Sequence, residues 1–168
     1  MNENKPIPLS PKQVAFQQAM CSPLKFRWFL LWKLPSVLFW GIRIAKLDEK
    51  QCVVSLPFTY RTKNPFKSIY FAALAGAAEL ASGALCLLHL QGEQRFSSLV
   101  TGVEGEFFKK ANQPILFTCL KGDTIKEVTS SLSSPGFTAS ITLPVEGTNP
   151  NGEVVARFNI HWSFKVKE

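Results

Sequence analysis

Positions 69–90 run apolar with a single charged interruption, Glu79, whereas the stretches on either side alternate apolar and polar residues with a period of two. The unbroken segment lies within NPFKSIYFAALAGAAELASGALCLLHLQG, positions 64–92, and predicts a long helix. Pro65 or Ser68 stands at its start, Ala and Leu fill its body, and Gly92 stands where helices stop. A helix apolar on every side is buried on every side. Helical spacing puts Ala72, Ala75, Gly76, Ser82 and Gly83 on the face of Glu79, a stripe of small residues that lets another backbone or a thin ligand come close. A buried, unpaired carboxylate is costly, so Glu79 is expected to be neutralised or put to use.

The period-two runs predict strands. Before the helix, 39–46 places Trp40, Ile42 and Ile44 on one side, and 51–60 does the same with Cys52, Val54, Leu56 and Phe58; LDEK between them reads as a hairpin turn. After the helix, Leu99, Val103 and Phe107 alternate with Val100, Glu104 and Glu106. A shorter run holds Ile115, Phe117 and Cys119, and a further one holds Phe137, Ala139, Ile141, Leu143 and Val145. The last run sets Val154, Ala156, Phe158, Ile160, Trp162, Phe164 and Val166 against Glu153, Arg157, Asn159, His161 and Lys165, the pattern of a long antiparallel strand with one wet face. Asn149, Pro150, Asn151 and Gly152 make the turn before it. The piece DTIKEVTSSLSS reads as a short helix or a loop.

At the front, a loose or strapping start precedes Ser10, Pro11 and Gln13, which supply an N-cap, a first-turn proline and a reciprocal capping partner for a helix to about Met20. Ser22 and Pro23 open a second helix that ends before Pro35. It carries Phe26, Trp28, Phe29, Leu30, Leu31 and Trp32 among Lys25, Arg27 and Lys33. Such a helix either packs over the open side of the sheet or touches a membrane surface with its basic flanks. The sum is an α+β fold: a curved antiparallel sheet of about six strands wrapped around one long apolar helix, spanning 37–168, with a helical extension at 1–36. A membrane span over 69–90 is long enough, but a carboxylate near its centre costs about 2.5–3.5 kcal/mol, and the sheet would be left without a core.

A chain of 168 residues that is 46% hydrophobic fills one core, so one domain is expected. Cys21, Cys52, Cys86 and Cys119 show neither CxxC nor CxH spacing, which argues against a zinc site or a disulfide framework and for reduced thiols. The first twenty residues lack the apolar run of a secretory signal, so a cytoplasmic protein is expected. The net charge of +7 is unevenly spread: eleven Lys and Arg face three acids up to Lys67, and eight face nine beyond it. A localised basic surface suits nucleic acid, an anionic membrane or a phosphorylated small molecule. Nucleic acid is disfavoured because no recognition motif accompanies the charge.

The order of elements and the residues around Glu79 resemble the hot-dog-fold acyl-CoA thioesterase superfamily, in particular its phenylacetate-pathway branch and a related group without assigned function, over 39–167. Such thioesterases carry an Asn or Gln before the helix, a His-Gly pair at its opening, and an acid in a Leu-Ala-Glu/Asp run two turns further in. Asn64 matches the first and Ala77, Ala78 and Glu79 match the last, while Tyr70 and Phe71 stand where His-Gly would be. The resemblance implies Glu79 as nucleophile or general base toward a thioester carbonyl, with the N–H of Phe71 or Ala72 holding the oxyanion. It implies Ser82 orienting water, Asn64 holding the acyl end, and Tyr70, Ala72 and Gly83 lining the substrate. Arg61, Lys63, Lys67, Lys109 and Lys110 are its candidates for the pantetheine and nucleotide arm of an acyl-CoA. It further implies a homodimer or homotetramer with sites between subunits, and neither cofactor nor metal. Two alternatives stand beside this: a non-catalytic acyl-ligand or lipid-binding protein, for which Phe71 is the motivating feature, and a Glu79 that only hydrogen-bonds across a dimer interface. His89 and His161 have no catalytic spacing and read as helix-end and strand-surface residues.

Overall fold

The computed structural model describes residues 9–92 and 94–168; the loose or strapping start expected before Ser10 lies mostly outside the described residues. Its elements run α1 (Pro11–Cys21), α2 (Pro23–Lys33), α3 (Pro35–Trp40), β1 (Arg43–Leu47), β2 (Cys52–Leu56), α4 (Phe71–His89), β3 (Phe96–Phe107), β4 (Ile115–Cys119), α5 (Gly122–Ser130), β5 (Thr138–Thr148) and β6 (Val154–Val166). The six strands form one sheet in the order β1-β2-β4-β5-β6-β3, antiparallel at every pairing. Helix α4 packs against β1, β2, β4, β5 and β6, so the sheet buries its apolar face on this helix, the hot-dog arrangement expected. By length and composition alone α4 could cross a membrane, yet two thirds of its most apolar window is buried inside this wrap.

The period-two reading holds where strands are long. Along β6, Ala156, Phe158, Ile160, Trp162, Phe164 and Val166 are buried while Arg157 and Lys165 are exposed. It fails at 39–46, where Pro35 instead opens a short helix that ends at Gly41, whose φ of 73° is the left-handed cap position glycine tolerates. Phe39 and Trp40 are therefore helical, and the strand starts at Arg43. The second strand stops at Leu56, before Pro57, rather than at Tyr60. The LDEK turn is present, with Asp48 Oδ1 accepting from Lys50 N–H at 2.9 Å and Gln51 N–H at 3.0 Å. The stretch after Gly122 forms α5, resolving the choice between helix and loop.

Leu99, Val103 and Phe107 are exposed on β3, an edge strand bonded to β6. Past the irregularity between Val100 and Gly102, Val103 pairs with buried Ile160 and Phe107 with buried Ala156, so these two lie on the inner face at the sheet's edge, whereas Leu99 pairs with Ser163. The described part of the N-terminal extension packs into the rest. Met20, Phe26 and Leu30 join Val37, Ile44, Leu80, Ala84 and Trp162 in one continuous core, and α1 is tied to β1 by Gln17 Nε2, which donates to the Leu47 carbonyl at 2.6 Å. A β-carbon at Gly76 would stand 3.0 Å from the Trp40 ring, so α3 seats its indole where α4 has no side chain.

Candidate active site

Glu79 sits on the half-exposed line of α4 that also holds Ala72, Ala75 and Gly76. Its carboxylate lies over Gly83: a β-carbon there would be 3.3 Å from Glu79 Oε1 and 3.1 Å from the Trp162 ring. The small-residue stripe predicted from helical spacing thus exists, but two indoles occupy it, Trp40 at Gly76 and Trp162 at Gly83.

A chamber of about 230 Å³ opens beside the carboxylate, walled by Phe16, Met20, Phe26 and Phe29 from α1 and α2 together with Leu80 and Trp162. Among the described residues Glu79 is the one carboxylate in its wall. Burial against this apolar lining pushes the Glu79 carboxyl above its ordinary pKa, because the charged form loses hydration that the lining does not replace. Among the described residues no side chain hydrogen-bonds to the carboxylate.

Ser82 is fully buried, and its hydroxyl is engaged by its own neighbours. It donates to the Glu79 backbone carbonyl at 3.0 Å and accepts from Trp162 Nε1–H at 3.0 Å. This geometry gives it the task of holding Trp162 against α4; it is not turned toward bulk water.

The helix begins later than the sequence suggests because Asn64 organises a turn in front of it. Asn64 Oδ1 accepts from Phe66 N–H, Ser68 N–H and the Ser68 hydroxyl at 3.0–3.2 Å, and Asn64 Nδ2 donates to the Ile69 carbonyl at 3.3 Å. Lys67 takes a φ of 59° within this turn. Ile69 N–H then bonds Ala111 O and Tyr70 N–H bonds Thr62 O, both at 2.7 Å, so helical bonding starts only at Ala73 N–H, donated to Tyr70 O. Among the described residues the N–H groups of Phe71 and Ala72 have no backbone partner, as expected of a first helical turn. Phe71 is exposed, its ring edge-on to Tyr70 with centroids 5.0 Å apart. At the other end the helix stops at His89 with Leu90 as cap, and Gly92 lies beyond it. His89 Nε2 sits 2.9 Å from the Glu49 carbonyl, and His161 Nδ1 lies 2.8 Å from Thr142 Oγ1 on the outer face of the sheet.

The five predicted cations separate into different places. Lys109 and Lys110 line a second hollow of about 360 Å³ at the start of α4, with Tyr70, Phe71 and Phe107, and Lys109 pairs with Glu153. Lys63 lies over the Tyr60 ring at 4.8 Å and shares a shallow depression with Asn64 and Lys67. Arg61 is turned the other way, over the Phe39 ring at 5.9 Å, into a groove with Arg27 and Arg43. The eight-residue step from Phe71 to Glu79 also spans about 12 Å of helix axis. Within one chain, the free N–H groups and the carboxylate do not address the same atom.

Sequence reasoning did not select Trp162 or the chamber walls Met20, Phe26 and Phe29. The alternation of β6 marks Trp162 as inward-facing, but nothing in that pattern says which helix position receives its indole. Among the described residues no three His, Cys, Asp or Glu side chains converge as a metal site.

Comparison with known proteins agrees with this architecture. The chain superposes on a protein of unknown function from Pseudomonas aeruginosa with a TM-score of 0.71 at 24% identity, covering 88% of this chain and 99% of that one. A thioesterase from Haemophilus influenzae gives 0.65 at 12% identity, covering 86% and 91%. The E. coli PaaI protein of the phenylacetic acid degradation operon gives 0.64 at 18% identity, covering 94% and 96%. No protein of curated function matches by sequence. The family model described as Domain of unknown function (DUF4442) matches residues 24–164, starting inside α2 and reaching almost to the end of β6. By that match the chain belongs to the DUF4442 family, and its fold is the hot-dog fold.

Proposed function

We propose that this protein hydrolyses acyl thioesters of coenzyme A or a related carrier, with Glu79 as the general base or nucleophile. The observation that carries the reading is the isolation of the Glu79 carboxylate in the wall of an apolar chamber, where burial raises its basicity. A base whose pKa is drawn toward the working pH is a better proton acceptor in a transition state. In the general-base route Glu79 takes a proton from water as the water oxygen adds to the thioester carbonyl. The tetrahedral oxyanion then collapses, the C–S bond breaks, and the thiolate recovers the proton from Glu79, leaving a carboxylic acid and a thiol.

The oxyanion needs a donor that Glu79's own helix start, about 12 Å away, does not supply. We assign it to the first turn of α4 in a second copy, so that two chains complete two equivalent sites. The half-exposed line of α4 and the exposed apolar edge of β3 suit such a pairing. Light scattering is expected to give a dimer or a higher even oligomer; a stable, active monomer at micromolar concentration overturns the shared site.

One feature favours a second reading, an acyl-ligand binder without turnover: the paired rings of Tyr70 and Phe71 at the helix start, where a thioesterase has His-Gly. A panel of acyl-CoAs separates the two. Release of free thiol that saturates with substrate supports hydrolysis, whereas saturable binding without thiol release supports the binder.

A further inference from the structure

Helix α2 has two apolar sides with different fates. Phe26 and Leu30 are buried, and Phe26 and Phe29 wall the chamber beside Glu79. Leu24, Trp28, Leu31 and Trp32 are left 69%, 58%, 50% and 77% exposed. At about 100° per residue these four fall within one sector of roughly 100°, with Arg27 just past one border and Lys25 just past the other. Two exposed tryptophans between basic borders form the geometry of a helix lying in the plane of a lipid interface. Trp prefers that depth because its ring is apolar and its N–H is polar.

The sequence that holds this face carries charge of one sign. Between positions 4 and 47 the chain holds seven cations, Lys5, Lys12, Lys25, Arg27, Lys33, Arg43 and Lys46, and no acid. Arg27, Arg43 and Arg61 line a groove of about 200 Å³ beside α2, and none of the three pairs with a carboxylate among the described residues. The Arg61 guanidinium lies over the Gly41 backbone, where a β-carbon would be 3.3 Å away, and reaches exposed Phe39. Guanidinium groups converging without an internal acid offer forked donors to phosphate oxygens. A second copy of this face would bring like charges together, whereas an anionic bilayer complements them.

From these observations we infer that the outer face of α2 docks on an anionic phospholipid surface, Trp28 and Trp32 entering the interface and Arg27, Arg43 and Arg61 receiving lipid phosphates. Met20, Phe26 and Ile44 border both the three-arginine groove and the Glu79 chamber. Residues of α1, α2 and β1 therefore form a wall common to the groove and the chamber. The inference concerns binding and stands whether or not the protein turns over thioesters.

The test is flotation of the full chain with vesicles of phosphatidylcholine alone or mixed with phosphatidylglycerol, alongside tryptophan emission and light scattering. The protein is expected to float with the mixed vesicles, with blue-shifted emission, and to remain in solution with phosphatidylcholine. Trp28→Ser with Trp32→Ser should abolish flotation and the emission shift without changing oligomer size, since neither side chain is in the core. Arg27→Gln with Arg43→Gln and Arg61→Gln should weaken binding to mixed vesicles on the order of a hundredfold, as three cations near an anionic surface imply. Flotation that ignores lipid charge overturns the inference. So does a change of oligomer size in the tryptophan variant without vesicle binding in the parent, which marks a self-interface. Arginine-dependent binding of soluble coenzyme A by a protein that ignores both vesicles also overturns it, and assigns the groove to a free phosphate ester.

Discussion

The carboxylate of Glu79 rests over Gly83, one turn further along the same helix, where a β-carbon would stand 3.3 Å from Oε1 and 3.1 Å from the Trp162 ring. Gly83→Ala therefore tests whether that position matters to chemistry. Alanine gains about 1 kcal/mol of helix propensity over glycine, which offsets the two tight contacts, so the melting temperature should change little. The carboxylate must give by a few tenths of an ångström, so turnover is expected to fall by less than the roughly hundredfold that a 1 Å misplacement can cost. Thiol-release kinetics beside a thermal melt check both halves.

Glu79→Gln separates chemistry from structure. Gln keeps the size and hydrogen-bonding capacity of Glu but cannot serve as base, so turnover should fall about 10²- to 10⁴-fold while the assembly persists. The substitution should also alter the dependence of stability on pH. Burial raises the folded-state pKa above the ordinary 4.5, so between 4.5 and the raised value the folded state holds a proton that the unfolded chain has released. Stability thus falls as pH rises through that window and levels off above it. The Gln variant should lack this fall and melt higher than the parent at neutral pH, the gap closing below 4.5. Parallel melts across pH, with parent and variant curves superimposable, would count against a desolvated carboxyl.

Phe71→Gly restores the residue type that thioesterases of this fold carry at the helix opening. Phe71 is exposed, so the cost is limited to its edge contact with Tyr70 and to glycine's helix penalty, roughly 1 kcal/mol. Turnover is expected to rise, because the N–H remains while the ring that shields it is gone. A folded variant with unchanged kcat/KM means that this ring does not limit the site.

Ser82 and Trp162 should behave as a structural pair. Trp162→Phe leaves the Ser82 hydroxyl one partner short in a fully buried setting, a loss of about 1–3 kcal/mol. Ser82→Ala strands the indole N–H at a similar cost. Each should lower Tm by several degrees, with clear coupling in a double-mutant cycle and with activity per folded molecule largely kept. A Ser82→Ala variant of normal stability and no activity would return to Ser82 the water-orienting role that the resemblance implied.

What could be read from the sequence depended on how far a pattern extends. The central helix and β6 are long, so composition and period found both, although the helix starts only at Phe71 and keeps a half-exposed line, Ala72, Ala75, Gly76 and Glu79, where burial on every side was expected. The segment 35–46 is short, and Trp40, Ile42 and Ile44 mimic a strand. Only the left-handed turn at Gly41 and the seat for Trp40 at Gly76 decide that Trp40 belongs to a helix. The apolar residues of β3 were legible as a strand, but their exposure follows from β3 being an edge and from the irregularity between Val100 and Gly102, facts of sheet order and register that no local pattern carries. The site divided in the same way. Glu79 stood out as a lone charge in an apolar run, whereas its chamber is built from α1, α2 and β6, residues brought together from opposite ends of the chain.

The four cysteines have a practical consequence. Cys52 and Cys119 face each other across β2 and β4, with Cys86 on α4, and all three are sealed in the core. Burial pushes the Cys119 thiol up to about 11 and the Cys52 and Cys86 thiols higher still, which leaves almost no thiolate to react with an electrophile at neutral pH. Cys21 alone is exposed, at the end of α1, where it lines the three-arginine groove. A maleimide should therefore mark the folded protein once and the unfolded chain four times. The mass of the product then counts unfolded molecules, and a dye on Cys21 becomes a reporter of whatever approaches that groove.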